Sequence, residues 1–263
     1  MKQFAVVGDP IEHSLSPMLH KEIYRQLGIK ASFEIAHIEK EYLQIFINEN
    51  KLDGFNVTIP HKESIIPYLD KLDKTAEAIG AVNCVKREKG YNTDWIGFLN
   101  AMTNNDIEIN GKNCLIIGAG GAARAIAYAF VQAKAKSIIF HNRTKSKVKT
   151  LADWINKLYP ENNSFGEPEI VVNCTPIGMW PNTNSIPMNI DSITTINVLV
   201  DTIYNPFETR WLKMGKTIGI KTIRGLDMFI FQGLASADIW FGKKVSIKLD
   251  LETIKKVLKR ELC

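Results

Sequence analysis

The chain has 263 residues, and at about 150 residues per domain this length fits one large domain or two modest domains. Hydrophobic residues make up 45% and charged residues 23% of the chain, a composition too apolar for a disordered protein. The net charge of +5 is a mild excess that is spread along the sequence. Because nucleic-acid-binding proteins gather their positive charge on one face, this distribution does not favour such a partner.

The first hundred residues alternate short apolar runs with helical patterns. Residues 4–7 are typical of a buried strand, and Ser16 is placed to cap a helix that has Pro17 at its first position and ends at Gly28. The following elements are predicted as a strand at 32–37, a helix at 41–49 and a strand at 54–59. Strands that alternate with helices predict an α/β fold with a mainly parallel sheet.

A second α/β region begins near residue 112. A strand at 114–117 runs directly into a glycine-rich segment, which is followed by an alanine-rich helix to Ala133. Further strands are predicted at 137–140, 170–172 and 198–200, with a helical pattern from Val148 to Leu158 and a helical tail from Asp227. We therefore predict two domains, with their boundary near the polar stretch 103–113. Residues 1–100, together with helices from 232–263, form the first domain, and residues 101–231 form the second.

Neither a membrane segment nor a metal site is expected. The longest uncharged stretch, 170–190, contains three prolines, and the first residues lack the apolar run of a signal peptide. The histidines show no HExxH spacing, and the cysteines Cys84, Cys114, Cys174 and Cys263 form no CxxC pair. Scattered cysteines in a chain of this length favour a reducing, cytoplasmic location.

The segment GAGGAA at 118–123 lies between a predicted strand and a predicted helix, as dinucleotide binding requires. Gly118 permits the tight turn, and Gly120 lets backbone amides approach a pyrophosphate at the helix N-terminus. Ala123 occupies the third glycine position of the motif. A purely structural turn is the alternative interpretation.

The residues after the next predicted strand indicate which dinucleotide is bound. An NAD-binding fold places an acid about 20 residues after the first glycine, to bind the ribose hydroxyl. This chain instead has Asn142, Arg143 and Thr144, followed by Lys147. These side chains favour a 2′-phosphate and therefore NADP. An exposed basic turn with no ligand is the alternative.

Four polar clusters follow apolar segments in the first domain, at 13–17, 56–62, 80–83 and 92–94. Strand ends of this kind gather the ligand in open α/β sheets. Lys62 can act as a general acid or base, and Asp94 can position it. Taken singly, Lys62 is also compatible with a solvated residue at a helix start, and Asp94 with a helix cap.

Several motifs, in this order over nearly the full length, resemble the shikimate dehydrogenase family. They are GDPIEHSLSP at 8–17, NVTIPHK at 56–62, GAVN at 80–83, NTDWIGF at 92–98, GAGGAARA at 118–125, NRT at 142–144, NCTPIGM at 173–179, DTIYNP at 201–206 and GLDMFIFQ at 225–232. The glycine loop alone is unspecific, whereas the pair NVTxPxK and NTDxxG is highly specific.

The resemblance implies an NADPH-dependent reduction of 3-dehydroshikimate to shikimate, in the route to chorismate and the aromatic amino acids. Lys62 is then the acid–base residue and Asp94 its partner. The implied substrate-binding residues are Ser14, Ser16, Thr58, Lys62, Asn83, Asp94, Tyr204 and Gln232. The implied cofactor-binding residues are Gly118, Ala119, Gly120, Gly121 and Ala122 for the pyrophosphate, Asn142, Arg143, Thr144 and Lys147 for the adenosine phosphate, and Thr175, Ile203, Gly225 and Met228 for the nicotinamide.

The resemblance also implies a cleft between the two domains in which substrate and nicotinamide meet, and it leaves monomer and homodimer both open. A quinate/shikimate dehydrogenase of looser cofactor choice is the neighbouring hypothesis. A non-catalytic NADP-binding sensor is a third, although it predicts the loss of Lys62 and Asp94, which are both present. A nucleic-acid-binding protein would rest only on the net charge and the basic C-terminal helix.

Overall fold

The computed structural model describes residues 1–162, 166–190 and 194–262. Within these ranges the chain forms two compact units. The first unit combines Met1–Asp94 with Gln232–Glu261, and the second unit is built mainly from Trp95–Phe231. Because the first unit takes segments from both ends of the sequence, the second unit is an insertion between them.

The strands are β1 (Lys2–Gly8), β2 (Ala31–His37), β3 (Gly54–Val57), β4 (Lys71–Leu72), β5 (Cys84–Lys86), β6 (Lys89–Tyr91), β7 (Asn113–Ile117), β8 (Ser137–His141), β9 (Ile170–Asn173), β10 (Val198–Asp201) and β11 (Lys221–Ile223). The helices are α1 (Ser16–Leu27), α2 (Leu43–Glu49), α3 (His61–Ser64), α4 (Lys74–Ile79), α5 (Asp94–Asn104), α6 (Gly121–Gln132), α7 (Lys145–Leu158), α8 (Arg210–Thr217), α9 (Gly225–Phe241) and α10 (Leu251–Lys259).

The first unit contains a mixed sheet with the strand order β2-β1-β3-β5-β6-β4. β1 is parallel to β2 and β3, whereas β5 is antiparallel to β3 and β6. β1 is buried from Phe4 onward, as expected for a strand covered on both faces. From α9, Trp240 stacks on Phe4 with ring centroids 4.6 Å apart. The C-terminal segment therefore supplies part of this core.

The second unit contains a parallel sheet with the order β11-β10-β9-β7-β8. Alanines on α6, such as Ala123 and Ala127, are fully buried and let the helix approach the sheet closely. The order of the strands reverses between β7 and β9, and ligands of doubly wound sheets bind at the carboxyl ends of the strands at such a point. The predicted α/β class with a dinucleotide-binding type of sheet is confirmed.

Local boundaries differ from the sequence prediction in several places, and the strand predicted at 54–59 ends at Val57. Ser16 is the first residue of α1 and not its cap, since Leu15 occupies the capping position and supplies no side-chain oxygen. The hydroxyl of Ser16 is therefore not committed to capping the helix. The predicted helix 41–49 is shorter, because Lys40–Tyr42 forms a 3₁₀ turn ahead of α2. Gly28 ends α1 in the left-handed conformation, with φ 63°, as predicted.

Across the three described ranges, no helix combines the length and the apolar character needed to cross a membrane.

Candidate active site

An ion pair between Lys62 and Asp94 lies in the first unit. The Lys62 Nζ donates to Asp94 Oδ2 at 2.6 Å, and the two side chains are 17% and 5% exposed. Lys62 lies on the short helix α3, and its carbonyl accepts from the backbone N–H of Val82 at 2.7 Å. Thr58 precedes α3, and its N–H donates to the Val7 carbonyl at 2.9 Å. The cation and its partner are thus held on anchored backbone near the end of β3.

Asn83 joins this pair to Gln232. Its amide Nδ2 lies 2.8 Å from Asp94 Oδ1 and 3.3 Å from Gln232 Oε1. Asp94 begins α5, and its backbone N–H donates to Asn92 Oδ1 at 3.0 Å. Because the Asn92 side chain accepts this N–H at the start of α5, the Asp94 carboxylate is available to accept from Lys62 and Asn83. The structure therefore brings together four of the predicted site residues, which we call the lysine–aspartate site: Lys62, Asn83, Asp94 and Gln232.

A layer of buried polar side chains supports the lysine–aspartate site, and sequence reasoning missed it. Ser236 Oγ accepts from Asn56 Nδ2 at 2.9 Å, lies 3.1 Å from Thr93 Oγ1 and donates to the Gln232 carbonyl at 3.0 Å. The Thr93 N–H donates to Asn83 Oδ1 at 2.6 Å. Asn56 and Thr93 lie inside motifs noted above. Ser236 is one helical turn after Gln232, so the i, i+4 spacing was the available signal.

Ser14 and Ser16 lie in the segment between β1 and α1. The Ser16 N–H donates to Ser14 Oγ at 3.2 Å. No hydrogen bond between described residues joins either serine to the lysine–aspartate site. His37, at the end of β2, lies 2.8 Å from Asp9 and 3.0 Å from Glu12 in the same segment. The hydrogen bond to Asp9, with a smaller contribution from Glu12, raises the pKa of His37 above its ordinary value.

The glycine-rich segment of the second unit fits a dinucleotide phosphate. Gly118 has φ 122°, and a Cβ there would lie 3.0 Å from the Cys174 carbonyl oxygen, so only glycine is accommodated without strain. A Cβ at Gly120 would meet nothing within 4 Å, which leaves open space at the start of α6. Gly120 is the cap of this helix and has no side-chain oxygen of its own. Backbone N–H groups with their positive partial charge are available there for an anion.

The turn between β8 and α7 presents basic and hydroxyl side chains. Arg143, Thr144 and Lys147 are exposed, and Asn142 Nδ2 donates to the Thr144 carbonyl at 3.4 Å. α7 begins with a lysine and has no acidic residue in its first turn. The geometry suits a phosphate group and offers no carboxylate to oppose it.

The predicted nicotinamide residues follow the carboxyl ends of successive strands of the parallel sheet. Thr175 follows β9, Ile203 follows β10 and Gly225 follows β11, whereas Met228 is one turn into α9 and 7% exposed. A Cβ at Gly225 would lie 2.4 Å from the Ile203 carbonyl oxygen, so these two backbones pack directly together. The structure therefore gathers these residues on one edge of the sheet.

Tyr204 belongs to the second unit, whereas the other predicted substrate residues belong to the first. Its ring packs against Phe229, with centroids 4.5 Å apart.

In the described part of the chain no group of His, Cys, Asp or Glu side chains is arranged to hold a metal ion. Cys84 and Cys114 are buried free thiols, and burial raises the pKa of Cys84 to about 12.

The doubly wound parallel sheet with its glycine turn, and the lysine–aspartate site on a separate unit, define the class of dinucleotide-dependent oxidoreductases. Two family models match the chain. The model described as Shikimate dehydrogenase substrate binding domain matches residues 6–85, and the model described as Shikimate / quinate 5-dehydrogenase matches residues 101–173.

Similar proteins give the same result. The NADP(+) shikimate dehydrogenase of Methanocaldococcus jannaschii is 40% identical, with 94% of each chain covered. A crystal structure of a shikimate dehydrogenase in complex with NADP+ is 36% identical with a TM-score of 0.90, and covers 100% of this chain and 96% of that one. The shikimate 5-dehydrogenase of Thermus thermophilus, solved with NADP(H) and shikimate, is 30% identical with a TM-score of 0.86, and 100% of both chains is covered. The chain belongs to the shikimate dehydrogenase family.

Proposed function

We propose that this protein is an NADP-dependent shikimate dehydrogenase that interconverts 3-dehydroshikimate and shikimate. The Lys62–Asp94 pair carries the proposal, because its 2.6 Å contact supplies a positioned proton donor in the unit that matches the substrate-binding model. A sensor that only bound NADP would have no use for a partly buried ion pair with this geometry.

Shikimate binds through side chains that match its hydroxyl and carboxylate groups, and all of these side chains except Tyr204 belong to the first unit. Hydroxyl groups donate to a carboxylate, and amide and charged side chains satisfy ring oxygens. Ser14, Ser16 and Tyr204 bind the carboxylate, whereas Thr58, Lys62, Asn83, Asp94 and Gln232 bind the ring oxygens. Four of the five ring-binding residues are those of the lysine–aspartate site.

NADPH binds to the second unit and, when bound, supplies the hydride for reduction of the C3 carbonyl. The backbone of residues 118–122 binds the pyrophosphate at the start of α6, where the space above Gly120 supports close approach. Asn142, Arg143, Thr144 and Lys147 bind the 2′-phosphate. Thr175, Ile203, Gly225 and Met228 line the nicotinamide pocket.

Lys62 moves the proton of the reaction. Its ammonium has three N–H donors, of which one is used by Asp94, so the others are available to the substrate carbonyl oxygen. As the carbonyl is reduced, that oxygen gains negative charge and takes a proton from Lys62 Nζ. In the reverse direction the neutral amine accepts the proton of the shikimate hydroxyl. Asp94 keeps Nζ in one direction throughout, and Asn83 does the same for Asp94.

The cytoplasmic location stays a prediction, as do the domain bounds predicted from the sequence. Monomer and homodimer both stay open.

The test is the absorbance of reduced nicotinamide, followed with purified protein, either shikimate or quinate, and either NADP+ or NAD+. Rapid reduction of NADP+ alone is the expected result. Reduction of NAD+ at a similar rate would contradict the assignment of the β8–α7 turn, and equal turnover of quinate would favour the broader quinate/shikimate class. Binding of NADP+ with no turnover of either acid would favour the sensor.

A further inference from the structure

Two buried polar residues face each other at the carboxyl ends of β9 and β10. Asn173 and Asp201 are register partners on these parallel strands, and both are 0% exposed. Asn173 Nδ2 donates to Asp201 Oδ1 at 3.1 Å. Burying a carboxylate is costly unless its oxygens are satisfied, so the groups that satisfy it indicate what it holds in place.

Asn173 holds the segment that follows β9. Its Oδ1 accepts from the Thr175 backbone N–H at 3.0 Å and from the Thr175 hydroxyl at 2.7 Å. Its Nδ2 also lies 3.2 Å from the Ile177 carbonyl oxygen. Two of these contacts therefore set the backbone and the hydroxyl direction of Thr175, and the third holds the Ile177 carbonyl.

Asp201 holds the segment that follows β10. Its Oδ1 accepts from the Ile203 N–H at 3.0 Å, and its Oδ2 accepts from the Thr209 hydroxyl at 2.8 Å. Thr209 is the cap of α8, with its Oγ1 accepting from the Leu212 N–H. On its other side, the Ile203 carbonyl packs against Gly225. The carboxylate therefore links the Ile203 backbone, the start of α8 and, through Asn173, Thr175.

We propose that Asp201 is a positioning residue for the nicotinamide half of the cofactor, acting with Asn173 to hold Thr175 and Ile203 in place. This inference rests on the proposed function, which assigns Thr175 and Ile203 to the nicotinamide pocket. The adenosine half is bound by other segments, at the glycine turn and the β8–α7 turn. Loss of Asp201 should therefore weaken one half of the cofactor's binding and spare the other.

The test uses calorimetric titration without shikimate to measure the Kd of two ligands for the wild type, Asp201→Ala and Asp201→Asn. The ligands are NADP+ and adenosine 2′,5′-bisphosphate, which lacks the nicotinamide. Asp201→Ala should raise the Kd for NADP+ about tenfold, as expected for buried hydrogen bonds lost around one group. The Kd for the bisphosphate should stay within about twofold.

Asp201→Asn should restore NADP+ binding to near the wild-type value. Its oxygen can still accept from the Ile203 N–H and from Asn173, and its NH₂ can donate to the Thr209 hydroxyl. Thr209→Val is a milder variant that removes one donor from the carboxylate together with the side-chain cap of α8, and it should weaken NADP+ binding selectively by a few-fold. The matched control is Thr217→Val, an exposed threonine on α8 whose hydroxyl donates to the Lys213 carbonyl.

Equal weakening of both ligands in the Asp201 and Thr209 variants would overturn the proposal, because it would show a general loss of structure. Unchanged NADP+ binding would overturn it as well. A wild-type protein that binds NADP+ but does not oxidise shikimate would refute the proposed function and leave the positioning role of Asp201 open to the same test. A wild-type protein that binds neither ligand would refute both.

Discussion

Among single residues, Lys62 differs from a solvated lysine in the groups that surround its ammonium. Its ammonium contacts a carboxylate that is 5% exposed and hydrogen-bonded on its other oxygen by Asn83. We expect Lys62→Ala to lower kcat by about 10²–10⁴-fold, the usual loss for a general acid, with a small change in the KM for shikimate. Steady-state kinetics with shikimate and NADP+ measure both constants.

The matched control for this variant is Lys21→Ala, which removes an exposed lysine of α1. It should leave kcat and KM at their wild-type values. A Lys62→Ala enzyme with a raised KM and unchanged kcat would show that Lys62 only binds the substrate and transfers no proton.

His20 is a second residue whose surroundings give a measurable consequence. The ring is fully buried and stacks on Phe33 with centroids 4.2 Å apart. Burial lowers the pKa of His20 to about 3, and the Asn56 side chain opposes this only in part. The unfolded chain, in contrast, takes up a proton at this histidine near its ordinary pKa of 6.5. The stability that depends on neutral His20 is therefore complete above about pH 6.5 and decreases as the pH falls towards 3.

We expect the free energy of unfolding to fall less between neutral and acidic pH when His20 is replaced. Between pH 7 and pH 5 the wild-type free energy of unfolding should fall by about 2 kcal/mol on account of His20. His20→Phe retains an aromatic ring against Phe33 and should remove that loss. Urea unfolding at the two pH values measures it, with His141→Gln, at an exposed position, as the control. Parallel losses in wild type and His20→Phe would show that His20 titrates normally in the folded protein.

At the scale of an element, two glycines at the start of α6 serve different needs. Gly118 is required by the fold, whereas Gly120 is required by the ligand. Gly118 is needed by the fold, since its φ is 122° and a Cβ would approach the Cys174 backbone. Gly120 has extended backbone angles, and a Cβ there would contact nothing. The protein itself therefore tolerates Gly120→Ala, and only a closely approaching pyrophosphate would not.

We expect Gly120→Ala to lower the Tm by no more than about 2–4 °C, the cost of alanine at a helix cap, and to raise the Kd for NADP+ at least about tenfold, which corresponds to about 1.4 kcal/mol of binding free energy. Thermal unfolding and calorimetric titration measure the two quantities on the same sample. A wild-type affinity in Gly120→Ala would place the pyrophosphate away from this turn. A larger drop in Tm would show that the glycine serves the fold after all.

At the scale of the whole molecule, local patterns in the sequence predicted helices and strands. They missed the contacts between residues that only long-range packing brings together. The strand at 114–117 and the glycine turn after it were predictable because the residues that determine them are consecutive. Ser236 was missed, because its spacing from Gln232 is only a weak signal and its partner Thr93 lies 143 positions away in the sequence. The same holds for Asn173 and Asp201, which meet only because β9 and β10 are neighbours in register. The residues of the lysine–aspartate site were recognised through motifs, whereas the residues that support it depend on the tertiary fold.

The division into two units leads to a prediction about how the chain unfolds. Trp240 in the first unit is 2% exposed, and its Nε1–H donates to the Val85 carbonyl at 2.9 Å. Trp211 in the second unit is 0% exposed and packs with Val171 and Leu199. Each tryptophan therefore belongs to the core of one unit, and replacing either by alanine should cost about 3–5 kcal/mol.

If each unit opens as its own cooperative region, the two substitutions should act in different places. Trp240→Ala should speed amide hydrogen exchange in β1, β3 and β5, whereas Trp211→Ala should speed it in β9 and β10. Each variant is the matched control for the other, and exchange followed by peptide mass spectrometry resolves the two sets of strands. Binding of adenosine 2′,5′-bisphosphate should survive Trp240→Ala, because its proposed contacts lie in the second unit. Faster exchange in both sheets with either variant would mean that the chain unfolds as a single cooperative unit, and that the insertion of one unit into the other couples their stabilities.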